Sequence, residues 1–240
     1  MNAKERLILA LDVLDLELAV RLLNQLESRV GLVKVNSLAV AKPTIVSIVQ
    51  ERNMGVWRDF KHHDIPGTVA SYIRTDLKDG LTMTSVHTLG GREMMEYAVK
   101  AARETDLKII GITILTSHSQ DGFTQELGIS GSIQDKVKHL ALMAQEAGLG
   151  GIVASAKEAK MLRGVLLPQI PQTLILTPGI KPKWAVGRPD QARITTPYQA
   201  IIDGADYIVV GSAIHRDPRP GEAADKIVAE IDEALSERTF

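Results

Sequence analysis

Charges of alternating sign crowd a ten-residue segment, Asp-Phe-Lys-His-His-Asp-Ile-Pro-Gly-Thr, that begins at Asp59. It directly follows an apolar run that has the composition of a strand. Side chains two apart on a strand point to one face, so we expect Asp59 and Lys61 to project together beyond the strand end. Asp12 and Lys34 end two earlier apolar runs and can complete an alternating cluster of acids and bases. Such a cluster is suited to chemistry on an anion.

Two other interpretations of these charges were weighed. The first is a purely structural ion-pair network, but burying paired charges is costly, so a network retained at strand ends favours catalysis. The second is a magnesium site formed by Asp12, Asp59 and Asp64, because carboxylate oxygens are preferred ligands of Mg²⁺. Lys34 and Lys61 argue against a metal, since their ammonium groups would supply the neutralising charge. We therefore predict a site without metal.

Eight short apolar runs alternate with segments of helical periodicity, such as Leu16, Val20, Leu23 and Leu26. Runs without polar alternation are typical of parallel strands covered by helices on the outside. Eight such units in this length predict a single (β/α)8 barrel of the TIM type, with a doubly wound open sheet as the rival. The predicted strands are 7–11, 31–35, 55–60, 82–86, 108–115, 150–154, 173–176 and 207–210.

Polar residues follow nearly every predicted strand at its carboxyl end, and only a closed barrel brings all of these ends to one rim. They are Asp12, Lys34, Asp59, Lys61, His87, Thr116, Ser117, Ser155, Thr177, Gly211 and Ser212. Two long rim connections, 117–130 and 179–194, are candidate lids. Backbone N–H groups near Gly179, Gly211 and Ser212 are placed to bind a phosphate.

Composition limits the partners of the chain. The 240 residues are 45% hydrophobic and 24% charged, with a net charge of −1 and no cysteine. Near neutrality offers no general attraction to nucleic acid or to membranes, so we expect a small-molecule partner, no nucleic acid and no membrane. No apolar run reaches the length of a membrane span. We expect one catalytic domain, 1–240, that is cytoplasmic and mature as written.

Motifs along the whole chain resemble those of the orotidine 5′-monophosphate decarboxylase family, which catalyses the last step of UMP synthesis. The string Asp-x-Lys-x-x-Asp-Ile-Pro-x-Thr at Asp59 is highly specific. Shorter matches occur in the order of the family, at Ala10–Asp12, Val33–Val35, Val86–His87 with Gly90–Gly91, Leu115–Ser117, Thr177–Ile180, Thr196–Pro197 with Gln199–Ala200, and Gly204–Tyr207.

The resemblance implies roles for individual residues. Lys34, Asp59, Lys61 and Asp64 would be catalytic, with Asp64 and Thr68 shared across the interface of a homodimer. The residues implied in binding orotidine 5′-monophosphate or UMP are Asp12, Lys34, Ile65, Pro66, Thr68, Thr116, Ser117, Gly179, Lys181, Gln191, Gly211 and Ser212. The family requires no metal or organic cofactor.

Two positions depart from the family pattern. The family usually has Arg where this chain has Lys181 and Ser212, and both are phosphate contacts in the family. Lys lacks the bidentate fork of Arg, so another residue is expected to contribute. Arg188 and Arg216 are the candidates, on proximity in sequence alone.

The residues support a mechanism in which Asp59 repels the substrate carboxylate and Lys61 stabilises and protonates the C6 carbanion. Two alternatives remain. One is a Mg²⁺-dependent hexulose-phosphate synthase or ketogulonate-phosphate decarboxylase of the same superfamily. The other is a nucleotide-binding regulator without turnover.

None of the six histidines is expected to take part directly in the chemistry. We expect His62 and His63 to be structural, because adjacent residues face opposite ways. His87 ends a strand and is expected to form an orienting hydrogen bond at the rim. His118, His139 and His215 are expected in solvent or loops.

Overall fold

A computed structural model describes residues 1–166, 173–185 and 195–238. Gln191 and Arg188, both named above, lie outside these residues. The eight predicted strands are present, with ends that shift by up to three residues from the predicted ones. They are β1 (Leu7–Ala10), β2 (Leu32–Val35), β3 (Gly55–His62), β4 (Met83–His87), β5 (Lys108–Ile112), β6 (Gly151–Val153), β7 (Leu174–Thr177) and β8 (Tyr207–Val210).

The strands form a closed parallel barrel in sequence order, in which β8 pairs with β1. Leu9 of β1 lies opposite Val33 of β2 on one side and Val210 of β8 on the other. Closure confirms the (β/α)8 prediction over an open doubly wound sheet, because an open sheet leaves its edge strands unpaired. That all of 1–240 forms one domain stays a prediction.

Helices follow the strands and cover the outside of the barrel. They are α1 (Leu16–Leu26), α2 (Ser37–Ala41), α3 (Ile45–Gln50), α4 (Pro66–Lys78), α5 (Gly91–Ala101), α6 (Gln120–Gln125), α7 (Ile133–Glu146), α8 (Ala156–Val165), α9 (Pro197–Ile202), α10 (Ser212–His215) and α11 (Pro220–Glu237). Several begin at capping residues that satisfy free N–H groups. Asp15 accepts from Leu18 N at 2.7 Å, and Ser155 forms a capping box with Glu158. Among the described residues no helix is long and apolar enough to cross a membrane.

Two apolar layers hold the barrel together. The inner layer fills the barrel, and it includes Ile8, Trp57, Ile110 and Leu176, all at most 2% exposed. The outer layer joins the strands to the helices and includes Phe123, which is fully buried. A filled interior means that ligands can enter only at the ends of the barrel, and the carboxyl end carries the polar residues.

Strand β3 is irregular at its carboxyl end. Arg58 pairs with Thr84 and His62 pairs with Val86, so four steps along β3 lie opposite two steps along β4. Lys61 has a φ of 51°, in the left-handed region that side chains other than glycine rarely adopt. The simple alternation expected for Asp59 and Lys61 is therefore replaced by a bulged backbone, although the two side chains still meet.

Candidate active site

The four predicted charges form one chain of ion pairs at the carboxyl end of the barrel. Lys34 Nζ lies 3.2 Å from Asp12 Oδ1 and 3.8 Å from Asp59 Oδ2. Lys61 Nζ lies 2.7 Å from the same Asp59 oxygen. Lys34 and Asp59 are 8% and 7% exposed, so their interaction is weakly screened by solvent. The order acid, base, acid, base predicted from the sequence is the order in space.

Ser85 of β4 fixes the inner side of the β3 bulge. Its Oγ donates to Asp59 Oδ1 at 2.8 Å and accepts from Lys61 N at 3.0 Å. One hydroxyl therefore orients the carboxylate and satisfies the backbone of the lysine. Ser85 was not among the predicted site residues, because β4 also contains the polar residues Thr84 and His87 and the sequence pattern does not distinguish Ser85 from them.

A cavity of about 480 Å³ opens above these charges. Its walls combine apolar strand ends, such as Ile112 and Val153, with polar groups from the connections after β7 and β8. Of the predicted site residues, those that line it are Asp12, Lys34, Asp59, Lys61, Thr116, Gly179, Lys181, Gly211 and Ser212. A charged floor, apolar walls and polar loops suit an anion with an apolar ring.

The remaining predicted residues lie elsewhere or outside the described residues. Asp64 lies beside the cavity, in a groove behind β3, where its Oδ1 accepts from Ile65 N at 2.7 Å. Ile65 is 69% exposed, and Pro66 and Thr68 begin α4. None of these four lines the cavity of its own chain, and neither does Ser117, which is exposed.

Comparison with known proteins places this geometry in a family. The model of the orotidine 5′-phosphate decarboxylase / HUMPS family matches residues 5–227. The chain belongs to this family. Proteins named orotidine 5′-phosphate decarboxylase from Moorella thermoacetica and Heliobacterium modesticaldum are 39% and 40% identical, over 97% and 99% of this chain and 94% and 100% of theirs.

A solved structure gives the same assignment. The crystal structure of orotidine 5′-phosphate decarboxylase from Lactobacillus acidophilus is 29% identical, with a TM-score of 0.80, and covers 94% of this chain and 98% of that one. A conserved protein from Geobacillus kaustophilus, described as uncharacterized, reaches a TM-score of 0.79 at 30% identity, over 94% of this chain and 99% of that one.

Two further residues that line the cavity are His215 and Arg216. His215 was expected in solvent or a loop, and that expectation was wrong, because it ends α10 and lines the cavity. Arg216 also lines the cavity, one helical turn after Ser212. The sequence signal for both was their short distance from Gly211, the glycine that follows β8.

The histidines behind β3 are engaged in structural contacts. His62 Nε2 lies 3.3 Å from Asp76 Oδ2, and its ring stacks on Tyr72. His63 and His87 stack on each other with centroids 5.3 Å apart. Burial, followed by the neighbouring charges of His63, Lys61 and His118, lowers the pKa of His87 to about 4. His87 is therefore neutral near pH 7, and its Nδ1 accepts from Leu89 N at 3.4 Å.

Proposed function

We propose that this chain decarboxylates orotidine 5′-monophosphate to UMP, with Lys34, Asp59, Lys61 and Asp64 as its catalytic residues. The observation that carries the proposal is the chain of ion pairs from Asp12 to Lys61 on the floor of the cavity. The family and the names of the relatives support the same reaction. It is a carboxy-lyase reaction of pyrimidine biosynthesis.

Asp59 acts on the departing carboxylate. A substrate carboxylate about 4 Å from Asp59 meets a repulsion of roughly 4 kcal/mol at an effective dielectric of 20. The repulsion disappears when the bond from C6 to the carboxyl carbon breaks and neutral CO2 leaves. Because Asp59 is buried and oriented by Ser85, it cannot turn away from the substrate at little cost.

Lys61 acts on the electron pair that remains on C6. Its ammonium group stabilises the developing carbanion by charge, which is most effective in a site shielded from water. It then donates a proton from Nζ to C6, giving UMP and a neutral amine that regains its proton from solvent. The 2.7 Å contact with Asp59 holds Nζ beside the position of the carboxylate.

The remaining residues that the family resemblance implies bind the rest of the nucleotide. Asp12 and Lys34 bind the ribose, and Thr116 or Ser117 binds the pyrimidine amide, with Gln191 bridging base and phosphate. The phosphate lies against the backbone at Gly179, Gly211 and Ser212, with Lys181 and Arg216 as its cations. Binding energy from the phosphate contributes to the barrier at the distant C6 atom.

A homodimer completes the site. Asp64, Ile65, Pro66 and Thr68 lie outside the cavity of their own chain, and Ile65 is one of the most exposed apolar residues described. A second copy that covers this face brings Asp64 and Thr68 to the neighbouring cavity. A cytoplasmic location stays a prediction from the sequence.

The direct test is the loss of orotate absorbance when purified protein is added to orotidine 5′-monophosphate. We expect turnover by the unsubstituted protein and none by Lys61→Ala, because the proton donor is gone. Lys138→Ala is the control, since Lys138 is exposed on α7 away from the cavity. Activity of Lys61→Ala close to that of the control would refute the assigned donor.

Addition of EDTA separates the proposal from the alternative within the superfamily. A Mg²⁺-dependent synthase or decarboxylase would lose activity, whereas the proposed reaction continues. Within the described residues, no group of three or more His, Cys, Asp or Glu side chains is arranged to hold a metal ion. A regulator would bind UMP without turning over the substrate.

A further inference from the structure

The irregular end of β3 contains the two side chains that carry the reaction. We call residues 58–62 the β3 arch, because they rise away from β4 between two paired positions. The arch contains Asp59 and Lys61, and the left-handed backbone of Lys61 is intrinsically unfavourable. A backbone of this kind persists only where its surroundings hold it. Ser85 holds the arch from inside the barrel. The contacts that hold it from outside come from α4.

A single buried carboxylate on α4 contacts both ends of the arch. Asp76 is 2% exposed, and its Oδ1 accepts from Arg58 Nη1 at 2.8 Å. Its Oδ2 lies 3.3 Å from His62 Nε2 and accepts from Thr84 Oγ1 at 2.5 Å. Thr84 is the β4 residue that pairs with Arg58. Asp76 therefore joins the start of the arch, its end and the neighbouring strand.

Other contacts restrain the same groups. Arg58 Nη2 donates to Asp79 Oδ2 at 2.6 Å, and Tyr72 stacks on the ring of His62 at 4.8 Å. Burial raises the pKa of Asp76, but hydrogen bonds from His62, Thr84 and Arg58 outweigh it and hold the pKa below its ordinary value. The carboxylate of Asp76 is therefore charged at neutral pH and retains its contacts with Arg58 and His62.

This network lies outside the active-site cavity, in the groove behind β3. Arg58, His62, Asp76 and Thr84 are all absent from the described lining of the active-site cavity. Apolar residues of similar volume would avoid the cost of burying these charges, so solvation gives no reason for them. The geometry gives the network another role, because it fixes the two positions at which β3 leaves and rejoins its pairing with β4. The network thereby sets the directions in which Asp59 and Lys61 point.

We propose that Asp76 is a positioning residue, which acts through Arg58 and His62 to hold the β3 arch and so to set the spacing of Lys61 and Asp59. This inference rests on the proposed function. It adds a residue on the outer face of the barrel to the machinery of the reaction. Asp76 touches neither substrate nor reacting atoms.

The test is Asp76→Asn, which keeps the shape of the side chain and removes its charge. We expect kcat to fall about ten- to a hundredfold, the size of effect that a displacement near 1 Å produces. We expect KM to stay within about threefold of the unsubstituted value, because the residues that bind the ribose and the phosphate lie at the ends of other strands. Kinetics are measured well below the melting temperature of the variant.

Asp206→Asn is the matched control. Asp206 is also buried, at 5% exposure, and it is also bound by arginine, through Arg163 and Arg6. It lies just before β8, at the amino end of the barrel, away from the arch. We expect this variant to lose thermal stability and to keep kcat, because a general loss of packing does not reach the β3 arch.

His62→Phe decides the matter if Asp76→Asn does not fold. It keeps an aromatic ring against Tyr72 and removes the contact of the end of the arch with Asp76, while the contact of Arg58 with Asp76 remains. The inference is overturned if the variant that folds, Asp76→Asn or His62→Phe, keeps kcat within about fivefold of the unsubstituted protein. It is also overturned if Asp206→Asn loses as much kcat as that variant.

An inactive unsubstituted protein would instead count against the proposed function. The distance between Lys61 Nζ and Asp59 Oδ2, which is 2.7 Å in the unsubstituted protein, then decides whether the inference holds. It is measured in crystals of Asp76→Asn, or of His62→Phe if only that variant folds. A distance unchanged within about 0.5 Å would overturn the inference.

Discussion

We propose that the guanidinium group of Arg216 replaces the arginine that the family usually has at position 212. It lies one turn after Ser212 and lines the same cavity, together with Lys181. Arg216→Ala should weaken UMP binding by roughly 10- to 100-fold, since hydrogen bonds to charged groups contribute about 1.5–3 kcal/mol each. Isothermal titration calorimetry with UMP measures the effect.

Two controls make the result specific to the phosphate. Arg219→Ala removes an exposed arginine that pairs with Glu222 at 3.0 Å and is absent from the described cavity lining. It should bind UMP as the unsubstituted protein does. Uridine, which lacks the phosphate, should bind equally to all three proteins. Equal UMP affinities for Arg216→Ala and Arg219→Ala would assign the phosphate to other groups.

His87 makes the stability of the protein depend on acid pH. Its pKa of about 4 in the fold lies below the ordinary 6.5. Between these values the unfolded chain binds a proton that the folded chain excludes, so the free energy of unfolding falls as pH falls from 6.5 towards 4. The contribution is complete above pH 6.5. Since His87 is half-buried, we discount it to about 1 kcal/mol.

Urea unfolding of His87→Asn measures this contribution. Asn keeps an acceptor for Leu89 N and removes the titrating ring, so the variant should lose less stability than the unsubstituted protein between about pH 7.5 and pH 4.5. His139→Asn is the control, since His139 is exposed on α7. Identical pH dependences for the two variants would contradict the prediction.

At the scale of elements, the strands were predictable and the β3 arch was not. Each strand is a short apolar run between helical segments, a local pattern that the sequence displays directly. The turn of Lys61 into the left-handed region depends on Ser85 and Asp76, which lie 24 and 15 residues further along the chain. A rule based on strand alternation takes no account of such contacts. It therefore predicted correctly that the side chains of Asp59 and Lys61 meet, but it did so from the wrong backbone conformation.

Close backbone approach at the start of β2 gives a prediction about stability. A Cβ on Gly31 would lie 2.6 Å from Glu5 Cα and 2.8 Å from Glu5 O, and backbone cannot move aside as a side chain can. Gly31→Ala should therefore destabilise the protein by about 1–3 kcal/mol. Gly164→Ala, within α8 and with no atom within 4 Å of the new Cβ, should be neutral or stabilise by up to about 1 kcal/mol. Thermal melts compare the two, and equal melting temperatures would refute the argument.

At the scale of the molecule, closure of the barrel explains why the site residues could be predicted before their positions were known. Asp12, Lys34 and Asp59 lie far apart in sequence, but they lie at or near the carboxyl ends of β1, β2 and β3, and the closed barrel brings these ends together. His215 was assigned wrongly because no repeating pattern shows that the short α10 lines the cavity. Asp64 and Thr68 lie outside the cavity of their chain, so the roles proposed for them require a second copy or a movement of the segment that carries them.

Mixed dimers test whether Asp64 serves the neighbouring cavity. Lys61→Ala and Asp64→Asn are each expected to be nearly inactive alone. After the two are mixed and allowed to exchange subunits, half of the dimers contain one of each. The cavity of the Asp64→Asn chain then has its own Lys61 and receives Asp64 from the other subunit. Activity should recover to about a quarter of the unsubstituted level, since half of the sites in half of the dimers are complete.

The control is a mixture of Lys61→Ala with Asp59→Asn. Asp59 and Lys61 touch within one chain, so no exchange of subunits can restore a site that lacks either. That mixture should stay inactive under the conditions in which the first recovers. Light scattering must show dimers in both cases, and co-purification through a tag on one variant must show that subunits have exchanged, because recovery requires exchange. Failure of the first mixture despite proven exchange would mean that Asp64 acts within its own chain, through a movement of the segment between β3 and α4.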